Sequence, residues 1–427
     1  MSLTNEKRIA YKEILKEELI MAMGCTEPIA IAFAASIVSD VLGDYPTKIS
    51  IGLSGNIIKN VKSVIVPATG GMHGISAAVS AGIICACPEK KLEVLTTLTP
   101  EKVSKIKEYQ SSCKFDIYEL EDSLPFEIII EGELGKNIAF VHLSKRHTNI
   151  KRVRLNGKDI TSRYYKPEDV IEKESTDRSI LNVEDIVEFA ETEPLDDLIP
   201  ILEKQITSNM AIANEGISRD WGASIGRTMY LNSQGDTRII ARAMAAAGSD
   251  ARMNGCELPV CIISGSGNQG ICASVPVCVY AEKLEKSREE LYRALIISNL
   301  ITIHQKTGIG CLSAYCGAIS AGAGAGCAIC YLYGGKFYEI AHTLVNAVAI
   351  LSGTICDGAK SSCAAKIAMA VEAGIMGYDM AKSGHQFYSG EGIVTKGVEK
   401  TIKNVGRLAS VGMSSTDKEI IKIMLGK

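Results

Sequence analysis

The stretch IGCLSAYCGAISAGAGAGCAICYLY, residues 309–333, carries no charged residue. It is long enough to cross a bilayer, for which roughly 20 apolar residues suffice. Its composition argues otherwise. Glycine, alanine and serine dominate, and there is no centre rich in Leu, Ile or Phe. Each glycine weakens a helix by up to about 1 kcal/mol relative to alanine. The stretch therefore reads as a water-soluble interior, where helices approach closely around a site, and not as a membrane span.

Working outward, the chain has 427 residues, of which 46% are hydrophobic and 22% charged. A sizeable core follows, either as two domains or as one core with an inserted lobe. The net charge is -3 and no basic patch stands out, which excludes nucleic acid as a partner. The opening segment MSLTNEKRIAYKEILKEELI is charged and amphipathic, without the apolar region of a secretion signal. A cytoplasmic location is expected.

The charge pattern divides the chain. Residues 6–23 read as a helix with Ile9, Ile14, Leu15 and Leu19 on one side. PIAIAFAASIVSDVLG reads as a second helix, opened by Pro28 and closed near Gly43, and MHGISAAVSAGIICAC as a third. TKISIGLSGNIIKNVKSVIVPATGG stays ambiguous, with strand-like runs between polar turns. Residues 91–160 are charged and alternating. FEIIIEGEL, NIAFVHLSK and IKRVRLNGKDI read as strands, and TPEKVSKIKEYQ as a helix. From about 182 long apolar helices return. The expected fold is mainly α, with a helical catalytic domain of residues 1–90 and 182–427 and a small α+β lobe inserted at 91–181.

GSGNQG, residues 265–270, fits the glycine pattern of a dinucleotide fingerprint, but that pattern carries weight only inside a βαβ unit. Pro276 follows closely and the flanks read as Ala-rich helices. The alternatives are an ordinary turn, or a loop that grips a small carboxylate through backbone N–H groups, Asn268 and Gln269.

Fourteen cysteines in a chain of this kind are unusual. Disulfides are rare in the cytosol. Cys85, Cys87, Cys261, Cys272, Cys278, Cys327 and Cys330 lie among apolar or small residues and read as small buried hydrophobes. Cys25, Cys311, Cys316, Cys356 and Cys363 have polar or glycine neighbours. Their spacing matches neither a ferredoxin run nor a zinc ribbon. On spacing alone, an iron–sulfur cluster on three thiolates, a zinc site and plain packing all remain open.

The segments GCTEPIAIA, SGNIIKN, PATGGMHG, SGSGNQG, CGAISAGAGAG and CDGAKSSCAAKIA together resemble the L-cysteine desulfidase family. That family is related to the alpha chain of the iron–sulfur L-serine dehydratases. The resemblance spans nearly the whole chain and is weakest over residues 91–180. It implies a [4Fe-4S] cluster held by three cysteines, here Cys316, Cys356 and Cys363, with Cys311 as the alternative for the first. It implies an open fourth iron facing the substrate, and Cys25 as the group that accepts the α-proton. The second and third ligands stand closer together than in the serine dehydratases. The terminal TDKEIIKIMLGK also lacks the cysteine that plugs the open iron in some of them.

The implied reaction is the β-elimination of L-cysteine to sulfide, ammonia and pyruvate without pyridoxal phosphate. A thiol at a helix start has a lowered pKa and becomes a competent base. Thr26 and Glu27 would then orient it or hold the substrate ammonium. The plainer alternative is that Cys25 packs and Glu27 caps the helix. His73 is a candidate hydrogen-bonding partner of the substrate or a structural histidine. Lys360 and Ser361, between two implied ligands, would tune the cluster or lie on a helix surface. L-serine dehydration by the same chemistry, and a non-catalytic cluster sensor or electron carrier, are the competing functions. A homodimer is compatible with everything above.

Overall fold

A computed structural model describes residues 3–24, 26–121, 123–164, 175–310 and 313–426. The first helix, α1 (Asn5–Glu18), is capped by Thr4, whose hydroxyl accepts from the Lys7 N–H. It is shorter than its apolar pattern suggests. Residues 20–23 form a strand, β1 (Ile20–Met23), paired antiparallel with residues 259–262. Ile14, Leu15 and Leu19 are buried, while Ile9 is 56% exposed. α2 (Thr26–Leu42) carries Pro28 in its first turn, where no intrahelical N–H bond is lost. It ends at Gly43, as expected.

The ambiguous segment resolves into strand β2 (Lys48–Leu53) and helix α3 (Gly55–Val61), followed by an isolated bridge between Ile65 and His73. Then come α4 (Ile75–Cys85) and α5 (Pro100–Ser112), the latter capped by Thr99. Strands β3 (Lys114–Glu119), β4 (Glu127–Leu134), β5 (Asn137–Ser144), β6 (Ile150–Leu155) and β7 (Lys158–Asp159) follow. They join β2 in one sheet of order β3-β2-β4-β5-β6-β7, parallel only between β2 and β3. Alternate residues such as Ile49, Ile51, Ile128, Ile130, Val141 and Leu143 are fully buried. One face of the sheet is therefore apolar, and α2 packs on it against β4 and β5. This core takes in α2, α4 and the sheet together.

The second core is helical. It is built from α6 (Val183–Thr192), α7 (Ile199–Ser218), α8 (Ile225–Leu231), α9 (Thr237–Met253) and strand β8 (Pro259–Ile262). α10 (Gly267–Lys283), α11 (Arg288–Ile309), α12 (Gly317–Leu332), α13 (Phe337–Leu351), α14 (Cys363–Lys382), α15 (Val398–Arg407) and α16 (Ser414–Leu425) complete it. β8 is a correction to the sequence reading, which placed helix before GSGNQG. The loop does follow a strand and open a helix. That strand pairs antiparallel with β1 in a two-stranded sheet, so no βαβ unit surrounds it.

α12 holds most of the uncharged stretch. It is flanked by α10, α11, α13 and α14. Gly322 lies against the Ala370 backbone, and Gly326 against Gly374. Among the described residues no helix is long and apolar enough to cross a membrane. α16 folds back on α3: the buried Lys59 ammonium pairs with Asp417 at 2.5 Å, and Ile421 packs against Gly55.

The crossing of α12 and α14 tolerates no added volume. A methyl group at Gly326 would stand 2.4 Å from the Gly374 carbonyl oxygen, a backbone atom that cannot swing aside. Gly326→Val should therefore destabilise the fold by about 1–3 kcal/mol or more. Chemical denaturation checks this, and an unchanged midpoint would show that the helices are not in contact there.

Candidate active site

Cys316 and Cys363 stand at the starts of two helices. Cys316 is the cap of α12, and Cys363 is the first residue of α14. Cys356 reaches the same place through backbone pairing. Tyr315 and Ile355 form a bridge, with the Cys316 N–H on the Thr354 carbonyl (3.0 Å) and the Cys356 N–H on the Ala314 carbonyl (2.6 Å). The Cys363 thiol points at the Gly358 carbonyl, 3.7 Å away. As residues all three cysteines are partly exposed. Of the cysteines expected to be small buried hydrophobes, Cys87 is partly covered and the others are buried.

The surroundings set the charge state. Burial pushes the Cys316 thiol up to about 12, and the nearby Cys356 thiol adds to the effect. Burial also raises Cys363. The free protein therefore favours the thiol form at Cys316 and Cys363, and a bound metal must displace those protons. Lys366, in the first turn of α14, lies close enough to Cys316 and Cys363 for its charge to favour their anions. Burial works to raise Asp357, but Lys360 and Lys366 outweigh it and hold its carboxyl at about 2. Both ammonium groups bond the Asp357 carboxylate at 2.5 Å. Lys360 thus fixes the CDG turn, and Ser361 donates to the Asn254 side chain at 3.0 Å.

The donor set of three cysteine sulfurs fits an iron–sulfur group. Three soft sulfur donors suit iron–sulfur chemistry. Among the described residues no three His, Cys, Asp or Glu side chains share one ion's coordination shell.

The other motifs converge on this trio from both cores. A methyl at Gly358 would stand 2.1 Å from the Lys59 carbonyl oxygen, so the CDG turn is pressed onto α3. From α3, the next residue, Asn60, donates to the Glu27 carboxylate at 3.0 Å. Thr26 donates to the other oxygen of Glu27 at 3.1 Å and lies 3.5 Å from the Gly265 carbonyl. Ser266 caps α10, and the Gln269 amide lies against Gly317, next to Cys316. Gln269 is 6% exposed, and its buried Oε1 has no partner among the described residues. Thr26, Glu27, Asn268, Gln269 and the three cysteines thus belong to one neighbourhood. His73 is exposed on its bridge with Ile65, and no contact among the described residues ties its ring to this group. Cys25 and Cys311 lie outside the described residues.

Two residues escaped the sequence reading. Arg252, at the end of α9, is 5% exposed and donates to the Gly24 carbonyl (2.9 Å) and to Asn268 Oδ1 (3.2 Å). His147 comes from the turn after β5, with its ring edge on Phe126 at 4.8 Å between centroids. Its buried Nε2 has no partner among the described residues. Burial lowers its pKa, against the pull of the Glu27 charge. Nothing in their local sequence marks either one. Arg252 reads as an ordinary charge in the last turn of a helix, and His147 as a polar loop residue.

The family described as serine dehydratase alpha chain matches residues 89–422, and the chain belongs to it. A UPF0597 protein of Desulfitobacterium hafniense is 51% identical over 98% of this chain and 96% of its own length. UPF0597 proteins of Lachnoclostridium phytofermentans and Treponema denticola are 48% and 44% identical, over 97% and 100% of this chain and 98% and 100% of their own.

Glu27 is a buried carboxylate, 9% exposed, that leans on Asn60. Asn60→Ala removes a donor from that charge and should cost about 1–3 kcal/mol of stability. Urea unfolding of the two proteins measures the difference. Equal stability would mean that the Asn60–Glu27 bond contributes nothing.

Proposed function

We propose that this chain is a pyridoxal-phosphate-independent carbon–sulfur lyase, an L-cysteine desulfidase that carries a [4Fe-4S] cluster on Cys316, Cys356 and Cys363. The observation that carries the reading is the gathering of these three part-exposed cysteines by the starts of α12 and α14 and the Tyr315–Ile355 bridge, beside the buried polar groups of GSGNQG and GCTEP. When bound, the cluster supplies a Lewis-acidic iron with an open position suited to a soft sulfur leaving group.

The protein's own residues do the rest. Glu27, held by Asn60 and Thr26, is a buried anion able to bind the substrate ammonium. Asn268 and Gln269 orient the carboxylate end. Cys25, just before the first turn of α2, accepts the proton from the substrate Cα. Loss of the β-sulfur as HS⁻ leaves aminoacrylate, which hydrolyses to pyruvate and ammonia.

L-serine is the second candidate substrate, favoured by the name of the family that matches this chain. A hydroxide is a harder leaving group, so the soft iron should favour L-cysteine in kcat/KM. Each tenfold preference corresponds to about 1.4 kcal/mol of transition-state discrimination. Anaerobic protein assayed with both amino acids for sulfide and pyruvate decides between them. Equal or better turnover of L-serine would make the chain a dehydratase.

The cluster is tested separately. Anaerobic reconstitution should load about four irons and four sulfides per chain. Cys316→Ala, Cys356→Ala and Cys363→Ala should each lose the visible absorbance. A Cys356→Ala protein with a full cluster would overturn the ligand assignment.

A further inference from the structure

Every ion-paired arginine around the helical core has a carboxylate. Arg178 has Glu17 and Glu18, and Arg238 and Arg242 share Glu372. Arg252 differs. It is 5% exposed, yet it makes no ion pair among the described residues. Its two partners, the Gly24 carbonyl and the Asn268 side-chain oxygen, are neutral. Its Nε is buried with no partner. A guanidinium presents five N–H donors and cannot shed its charge, so burial without a counter-ion is costly. The expense makes sense where an anion arrives later.

The position suits such an anion. The guanidinium lies over the start of α10, with Nε 2.3 Å from where a methyl at Gly267 would stand. Asn268 bonds it directly. The next residue, Gln269, lies against Gly317 beside Cys316. Two consecutive side chains thus bridge from the unpaired cation to the cysteine trio.

We propose that Arg252 is the carboxylate anchor of this site, and that its missing counter-ion is the carboxylate of a small 2-amino acid. The identity of the acid rests on the desulfidase reading; the anion site does not. Held there, a short amino acid directs its β-substituent along Asn268 and Gln269 toward Cys316.

The test uses protein free of cluster, so binding is read without turnover. L-cysteine should bind by calorimetry and raise the melting temperature. Cysteamine, with the same thiol and ammonium but no carboxylate, should do neither. Arg252→Gln should weaken L-cysteine binding by about 10- to 150-fold, as expected for a lost charge-assisted hydrogen bond. Asn268→Asp places a carboxylate beside the guanidinium. It should raise the melting temperature of the free protein while weakening L-cysteine binding, and it carries the test if Arg252→Gln fails to fold. Because Asn268 itself faces the substrate carboxylate in the reading above, the rise in melting temperature of the free protein is what assigns the weakened binding to a paired Arg252. Cysteamine binding as tightly as L-cysteine, or unchanged L-cysteine affinity in Asn268→Asp, overturns the anchor. If Arg252-dependent binding is found but the loaded enzyme releases no sulfide from L-cysteine, the anchor stands and the desulfidase reading falls. If the loaded Arg252→Gln enzyme turns over L-cysteine with an unchanged KM, the anchor falls and that reading stands.

Discussion

The backbone-to-backbone contact between α12 and α14 is the constraint on which the rest depends. Gly322 meets Ala370 and Gly326 meets Gly374, one turn further along both helices. Equal steps in the same direction mean that the two helices run parallel and in register. Their starts are therefore level, and those starts carry Cys316 and Cys363. The bridge of Tyr315 with Ile355 then brings Cys356 to the same level. Larger side chains along the crossing would separate the helices, and the thiols with them. The density of glycine and alanine in this stretch is thus a requirement of the site as much as of the fold.

The sheet core contributes through α2 and α3. Thr26 and Glu27 open α2, which lies on the sheet, and Asn60 ends α3. The Lys59 carbonyl backs the CDG turn. The site therefore lies where helices of the two cores abut. Arg252 and Glu27, of opposite charge, approach from different cores.

Much of this was legible in the sequence, for physical reasons. The uncharged small-residue stretch announced close helix packing, and the alternation over 126–155 announced the sheet. The motifs rich in Gly, Ser and Cys marked segments that do converge. β1 and β8 were missed because each is four residues long, and their pairing joins positions about 240 apart with no local signature. His73 drew attention through its glycines, yet they serve the turn of a bridge that leaves it exposed. Arg252 was invisible for the opposite reason. Its helix has a polar and an apolar side, and only burial separates it from a solvated charge.

The closure of α16 over α3 has a consequence in time. Lys59 lies on an early segment, its side chain is almost wholly buried, and its charge is met by Asp417. The element that backs the CDG turn and steadies Glu27 is therefore completed by a residue made some 350 positions later. As the chain leaves the ribosome, α3 emerges long before its partner. A nascent chain has all three thiols by residue 363, but not yet the clasp that seats the turn between them. The order of synthesis thus separates making the thiols from fixing the turn between them.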